Sequence, residues 1–188
     1  MAATSIEVED LISAKRVQVN GSFAATAAQL VLRSDSLELV SEKDNYVSRG
    51  GYKLDHALSA FGINPAQSDC VDVGASTGGF TDCLLQSGAS TVTTIDVGYG
   101  ILHERLVSDA RVEVYERLNI RDAAPIFDGK KFQLLVADLS FISLRLVLEN
   151  LVALSKEGTP LVLLVKPQFE SSHEEASRAR GVLSLIHI

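Results

Sequence analysis

Short apolar segments alternate with amphipathic stretches along most of the chain, from Leu54 onward. A helix is predicted to begin at Leu54 and to end before Gly62, because apolar residues recur there at helical spacing. Apolar strands that alternate with helices are typical of a parallel sheet covered on both faces. The pattern therefore predicts an α/β fold, a doubly wound Rossmann-like sheet. Its predicted strands are 70–73, 91–95, 112–115, 132–137 and 160–165, and its later predicted helices are 79–87, 101–108 and 143–155.

The first forty residues follow a different pattern, which predicts a small N-terminal α+β unit. Its predicted elements are a helix over 6–14, a hairpin whose turn is Asn20-Gly21, and a strand over 36–40. A unit of about 40 residues is marginal as an independent core. The polar residues that follow predict a linker, so we expect one unit over 1–44 and a second over 45–188.

Composition and charge narrow the class of protein. The 188 residues are 46% apolar and 22% charged, which is typical of a globular protein. No run approaches the roughly 18 apolar residues that a membrane span needs, and the first residues do not resemble a signal peptide. The formal net charge of −7 argues against nucleic-acid binding driven by bulk charge, although it is compatible with a local basic face. We therefore expect a cytoplasmic protein without a membrane partner.

The chain contains two cysteines, Cys70 and Cys83. Two are too few for a disulfide scaffold, and their spacing is not that of metal ligands. We expect both to be small buried residues, and we expect no metal.

The segment DVGASTGGFTD, residues 72–82, lies where the first strand of the predicted sheet meets the following helix. Three interpretations compete for it. A dinucleotide-binding fingerprint requires glycine where Ser76 stands, so that pattern fails. A serine-hydrolase elbow fits the letters, with Ser76 as the nucleophile, but it needs an acid and a histidine downstream at suitable strand ends. The third interpretation is a loop that binds S-adenosyl-L-methionine.

The third interpretation gives a role to the acidic and small residues around the loop. Asp72 orients the ammonium group of the cofactor, directly or through water. Gly74, Gly78 and Gly79 let the backbone approach the amino-acid portion without an intervening Cβ. Asp96 closes the next strand, where a carboxylate accepts hydrogen bonds from both ribose hydroxyls. The alternative is that Asp72 and Asp96 only cap helices.

Three charged residues lie where this fold places its chemistry, at or near the carboxyl ends of strands. Asp138 follows the strand 132–137, Lys166 follows the strand 160–165, and Lys53 lies at the start of the first helix after a Gly-Gly turn. A lysine directly after a fully apolar strand is an unusual choice. The alternative role of Lys166 is a purely structural ion pair with Asp138.

Six motifs follow one another along the second unit: YVSRGGYKL, DVGASTGGFTD, DVGYGIL, ERLNIRD, ADLSFISL and LLVKPQFE. In this order and spacing they resemble the TlyA (hemolysin-A-like) family of ribosomal RNA ribose 2′-O-methyltransferases, which is related to the FtsJ group. The resemblance covers nearly all of residues 46–182, and the first forty residues look like the later half of an S4 RNA-binding domain. It implies S-adenosyl-L-methionine as cofactor, ribosomal RNA or ribosomal subunits as partner, and methylation of a cytidine ribose.

The resemblance carries a catalytic Lys-Asp-Lys-Glu set onto Lys53, Asp138 and Lys166. The glutamate of that set belongs near the last strand of the family's sheet, and Glu170 is not expected to replace it. In the implied reaction Lys166 accepts the proton of the 2′-hydroxyl, Asp138 orients the lysine amine, and Lys53 holds a nearby phosphate or hydroxyl. The implied cofactor-binding residues are Asp72, Gly74, Ser76, Gly78, Gly79, Asp96, Asn119 and Asp138, and the predicted RNA-binding residues are Lys15, Arg16 and Arg49.

Two further expectations concern the end of the chain and the rival functions. The family pattern continues after Gly181-Val182, whereas residues 183–188 match nothing in it. We therefore expect a sheet truncated after its fifth strand and a foreign tail over 183–188. The rival functions are a catalytically inert RNA-binding or hemolysin-like fragment and a serine hydrolase that uses Ser76.

Overall fold

The computed structural model describes residues 8–9, 11–12, 17–39 and 46–171. The chain divides into two compact units, Met1–Asn45 and Tyr46–Ile188. Two predicted RNA-binding residues, Lys15 and Arg16, lie outside the described residues, and so does the predicted foreign tail over 183–188.

The first unit contains three short strands, β1 (Val17–Val19), β2 (Ser22–Phe23) and β3 (Leu37–Leu39), which pair antiparallel in the order β2-β1-β3. Asn20 and Gly21 join β1 to β2 with φ angles of 51° and 80°, the left-handed turn that an Asn-Gly pair favours. The predicted hairpin is therefore confirmed. The likeness of this unit to an S4 domain stays a prediction.

The second unit is built on five parallel strands among the described residues: β4 (Asp69–Val73), β5 (Thr91–Ile95), β6 (Val112–Tyr115), β7 (Leu134–Ala137) and β8 (Leu161–Leu163). Their order in the sheet is β6-β5-β4-β7-β8. The chain therefore runs from the centre to one edge, returns, and runs to the other edge. This doubly wound order confirms the predicted fold class, and its switch point between β4 and β7 opens a crevice at the carboxyl ends of the strands.

Six α-helices are described in the second unit: α1 (Gly50–Phe61), α2 (Gly79–Gln86), α3 (Glu104–Val107), α4 (Ala123–Ile126), α5 (Leu148–Ala153) and α6 (Pro167–Glu170). The end of α1 is as predicted, because Gly62 takes a left-handed conformation (φ 64°) and its amide bonds back to the last turn. The start of α1 lies four residues before the predicted one.

Two predicted helices are shorter than their apolar pattern suggests. The helix predicted over 101–108 begins only at Glu104, because the ring of His103 accepts a hydrogen bond from the amide of Arg105 and caps the helix there. The helix predicted over 143–155 is divided into a 3₁₀ turn and α5. Val147, whose side chain is fully buried, interrupts it with a φ of −128°.

Side chains along β4 alternate between two cores, one on each face of the sheet. Cys70 points to the core beneath α1 and α2, and Val71 and Val73 point to the core on the opposite face. Cys70 and Cys83 are both fully buried and unbridged, as predicted. Burial raises the pKa of Cys70 to about 12 and that of Cys83 to about 11, so both remain protonated thiols.

Candidate functional site

A cavity of about 600 Å³ opens at the carboxyl edge of the sheet, beyond β4, β7 and β8. Its size lies within the range that holds a cofactor or small ligand. The N-terminal end of α1 forms one wall, and the glycine-bearing loop between β4 and α2 forms another. The lining residues are Ser48, Arg49, Gly50, Lys53, Gly74, Ala75, Ser76, Thr77, Gly79, Phe80, Asp138, Ser140 and Lys166.

Asp138 lies between two lysines at this edge. Its Oδ1 is 2.5 Å from Nζ of Lys166, and its Oδ2 is 3.9 Å from Nζ of Lys53. The Asp138 and Lys166 side chains are about one-fifth exposed, whereas that of Lys53 is half exposed. Three residues far apart in the sequence thus meet, because the parallel strands β7 and β8 end side by side and α1 begins above them.

Ser140 belongs to the same cluster, although no sequence pattern pointed to it. Its hydroxyl oxygen accepts a 2.7 Å hydrogen bond from Nζ of Lys166. The lysine amine therefore has two neighbours, Asp138 and Ser140, and both come from the segment that follows β7. This arrangement fixes the direction in which the amine of Lys166 points.

The loop between β4 and α2 has a left-handed backbone at three positions, Gly74 (φ 82°), Ser76 (φ 51°) and Gly78 (φ 96°). A Cβ at Gly74 would lie 2.9 Å from the carbonyl oxygen of Asp138. Glycine at this position therefore permits a close approach of the loop to the backbone of Asp138. Non-glycine residues avoid this conformation, so Ser76 is a site of local backbone strain.

Asp96 holds this loop in place. Its Oδ2 accepts a 2.8 Å hydrogen bond from the amide of Ser76, and its Oδ1 accepts a 2.7 Å bond from the amide of Gly98. Asp96 therefore joins the loop after β4 to the loop after β5. It does not line the cavity.

Asp72 is fully buried behind the loop, with 0% exposure. Its Oδ2 accepts a 2.6 Å hydrogen bond from the hydroxyl of Thr81, and its Oδ1 has no hydrogen-bond partner among the described residues. Burial raises the pKa of Asp72 to about 7, and the charges of Asp138 and Asp96 act in the same direction. A buried carboxylate oxygen without a partner is costly unless a donor or a cation reaches it.

The second unit matches a family of known proteins along its length. The model of the FtsJ-like methyltransferase family matches residues 46–185. The chain belongs to this family. The resemblance that the six motifs indicated is thereby confirmed.

Relatives of this methyltransferase-family chain carry two kinds of name. A protein of Mycobacterium tuberculosis named 16S/23S rRNA (cytidine-2′-O)-methyltransferase TlyA is 42% identical over 98% of this chain and 73% of its own length. Hemolysin A of Brachyspira hyodysenteriae is 38% identical over 92% of this chain and 72% of its own length. The structure of a "putative hemolysin" from Streptococcus thermophilus is 39% identical, with a TM-score of 0.70 over 91% of this chain. The chain spans 63% of that structure.

The other sequence-predicted residues of the methyltransferase domain take several positions. Arg49 lines the cavity. Asn119 begins the 3₁₀ turn that follows β6, where its side-chain oxygen accepts a hydrogen bond from the amide of Arg121 (3.1 Å). It does not line the cavity. Neither Asp72 nor Asp96 is the N-cap residue of α2 or α3. Asp72 nevertheless accepts a hydrogen bond from the backbone amide of Thr81 in the first turn of α2, whereas Asp96 binds loop amides.

Gly78 and Gly79 serve protein packing as well as the shape of the loop. A Cβ at Gly78 would lie 2.2 Å from Cδ1 of Leu106, and one at Gly79 would lie 2.9 Å from the backbone nitrogen of Gly51. The sequence predicted only that these glycines let the backbone approach a cofactor. Their neighbours in the fold are α3 and the start of α1, which no local pattern identifies.

Asp82 is a second residue that sequence reasoning missed. Its Oδ2 accepts hydrogen bonds from the amide of Val47 (2.8 Å) and from Nη2 of Arg105 (2.6 Å), and its side chain is 5% exposed. Asp82 therefore connects α2 both to the segment that precedes α1 and to α3.

The hydrolase arrangement is not assembled around Ser76. Nδ1 of His103 accepts a hydrogen bond from the amide of Arg105. In the described part of the chain, no hydrogen bond joins the hydroxyl of Ser76 to a histidine. The same residues contain no cluster of His, Cys, Asp and Glu that could hold a metal ion. Nor do they include a helix with the length and apolar character needed to cross a membrane.

Proposed function

We propose that this chain transfers the methyl group of S-adenosyl-L-methionine to the 2′-hydroxyl of a cytidine ribose in ribosomal RNA, in the cytoplasm. The observation that carries the proposal is Asp138 between Lys53 and Lys166, beside the glycine-bearing loop. Family membership supports the reaction class, and the name of the Mycobacterium tuberculosis relative supports the substrate.

The residues around the loop fit the cofactor. The unpartnered Oδ1 of Asp72 suits an ammonium group, directly or through water, because a cation offsets the cost of burying a carboxylate. The carboxylate of Asp96 retains lone pairs beyond those used by two amides, which suits ribose hydroxyls. When bound, the cofactor supplies an electrophilic methyl group on a positively charged sulfur. The residues proposed to hold it are Asp72, Gly74, Ser76, Gly78, Gly79, Asp96, Asn119 and Asp138.

The two lysines and the aspartate act on the nucleophile. A ribose hydroxyl is a weak nucleophile until its proton is removed, and Nζ of Lys166, in its neutral form, accepts that proton. Asp138 and Ser140 keep the amine in one direction, and Asp138 stabilises the ammonium that results. Lys53, with half of its side chain exposed, binds the adjacent phosphate. General-base assistance of this kind contributes about 10²–10⁴-fold to the rate.

The rim of the cavity has features suited to single-stranded RNA. Arg49 adds a positive charge to the wall that carries Lys53. Phe141 is 92% exposed, and its backbone has an unusual φ of 64°. An exposed aromatic ring next to the catalytic edge suits stacking on an unpaired base, and the 2′-hydroxyl itself distinguishes RNA from DNA. We therefore assign Arg49 and Phe141 to RNA binding.

The proposal is tested by mass spectrometry of nucleosides. The chain is incubated with S-adenosyl-L-methionine and ribosomal subunits, and the RNA is then digested and analysed for 2′-O-methylcytidine. We expect this product with the wild-type chain and its loss with Lys166→Met, while calorimetry shows unchanged cofactor affinity for the variant. Retained turnover in Lys166→Met would remove the base role of this lysine.

The rival function, an inert RNA-binding fragment, is decided by the same experiment. A wild-type chain that binds both S-adenosyl-L-methionine and ribosomal RNA but yields no methylated nucleoside would favour it.

A further inference from the structure

Glu170 is a half-buried carboxylate to which the proposed reaction assigns no role. It is the last residue of α6, four positions after Lys166. Its Oε2 accepts a 2.7 Å hydrogen bond from the hydroxyl of Ser143, and its Oε1 accepts a 2.7 Å bond from the amide of Leu144. Both oxygens of one carboxylate therefore bind the same short stretch, which lies 27 and 26 residues earlier in the chain.

These bonds complete a series of contacts between two segments, the β7 arm (residues 138–144) and the β8 arm (residues 166–170). The contacts follow the same order along both arms. The two arms are therefore joined along their length, from the pair Asp138 and Lys166 to the pair Leu144 and Glu170. The contacts are Lys166 with Asp138 and Ser140, Phe169 with Phe141 (ring centroids 5.5 Å apart), and Glu170 with Ser143 and Leu144.

The middle of the β7 arm has a backbone that its own sequence does not favour. Phe141 has a φ of 64°, in the left-handed region that an aromatic residue rarely adopts. Such a conformation persists only where the surrounding contacts determine it. Glu170 supplies two of those contacts, at the second and third residues after Phe141.

We infer that Glu170 is a positioning residue, which holds the β7 arm so that Asp138 and Ser140 meet the amine of Lys166. This inference rests on the proposed function, because it takes Lys166 as the base. Glu170 is assigned no contact with the substrate, and it acts through the β7 arm to which both oxygens of its carboxylate are bonded. It affects turnover by keeping Asp138, Ser140 and Lys166 in position.

Glu170→Ala removes both bonds at once. We expect kcat to fall by about 10- to 100-fold, since a displacement near 1 Å costs up to about 10²-fold in rate. The affinity for S-adenosyl-L-methionine, measured by calorimetry, stays unchanged. Glu170→Gln keeps one side-chain oxygen as an acceptor and is expected to restore part of kcat. The matched control is Glu157→Ala, which removes an exposed glutamate from a turn and leaves kcat unchanged.

A double-mutant cycle tests whether Glu170 acts through Ser143. We expect Ser143→Ala to lower kcat by itself and to add little in the Glu170→Ala background. Independent effects that multiply in the double variant would overturn the inference, and so would a Glu170→Ala chain with wild-type kcat.

Hydrogen exchange separates this inference from the proposed function. Without substrate or cofactor, Glu170→Ala is expected to speed amide exchange over residues 139–146 relative to wild type and to Glu157→Ala. Unchanged exchange there would refute the positioning role, whatever the activity. An inactive wild-type chain would refute the proposed function instead, and the exchange rates alone would then decide the role of Glu170 in holding the arm.

Discussion

Asp72 is the residue where stability and the proposed function make opposite demands. Its carboxyl group is fully buried, with one oxygen bonded to Thr81 and the other without a partner among the described residues. Burial raises its pKa from 3.8 to about 7, the charges of Asp138 and Asp96 add to the shift, and the hydrogen bond from Thr81 opposes it. The fold therefore favours a neutral Asp72, whereas an ammonium ligand favours the charged form.

The sign and size of the effect follow from the two pKa values. The unfolded chain releases this proton near pH 3.8, but the folded chain keeps it until about pH 7. Between these values the folded state binds more protons, so its stability falls as the pH rises. A shift of about three units corresponds to about 4 kcal/mol in the free energy of unfolding. The free energy of unfolding that the neutral form of Asp72 contributes is thus lost progressively between about pH 4 and 7, and it stays lost above pH 7.

The perturbation is Asp72→Asn, which removes the charge and keeps an acceptor for Thr81. Urea denaturation of the cofactor-free chain is measured from pH 5 to 8.5. We expect the variant to gain stability relative to wild type as the pH rises to 7, with a plateau beyond, while its affinity for S-adenosyl-L-methionine falls. Asp122→Asn, at an exposed position without a side-chain cap bond, is the control. A stability difference that is equal at pH 5 and pH 8 would refute the reasoning.

Three further predictions concern the walls of the site. Gly79→Ala is expected to lower the free energy of unfolding by about 1–3 kcal/mol, because its Cβ would meet the backbone of α1, whereas Gly50→Ala has room at 3.4 Å and is tolerated; equal urea midpoints would contradict this. Asp96→Ala leaves two loop amides without their acceptor and weakens cofactor binding in calorimetry, and unchanged affinity would argue against the ribose contact. Phe141→Ala is expected to raise KM for RNA, because this residue is 92% exposed beside the proposed site; an unchanged KM would remove it from RNA binding.

The features that the sequence predicts well depend on local patterns. Each strand of the sheet is a short stretch rich in apolar or β-branched residues, and each lies within two residues of its predicted bounds. The meeting of Asp138 and Lys166 also follows from the sequence, because residues directly after parallel strands share one edge of the sheet. Lys53 lies on a helix and does not follow a strand. Its place at the start of that helix, after the Gly-Gly turn, pointed to the site, and the family resemblance added its catalytic role.

The features that escaped prediction depend on contacts between distant segments. Asp82 binds partners 35 and 23 residues away, so no local spacing indicates its role. The same holds for Gly79, whose neighbour across the fold is α1. Helix 101–108 was predicted too long because apolar spacing does not register a histidine cap at residue 103.

The close approach of α1 to α2 at Gly79 divides the candidate site into a fixed half and a separable half. Asp138 and Lys166 are anchored to the sheet, whereas Lys53 depends on how deeply one helix sits against another. An added methyl group or a wedged small molecule at this seam would widen the 3.9 Å gap between Lys53 and Asp138 and leave the strands undisturbed. The seam is therefore a place where the proposed chemistry can be switched off by moving one helix, in a protein whose sheet stays folded.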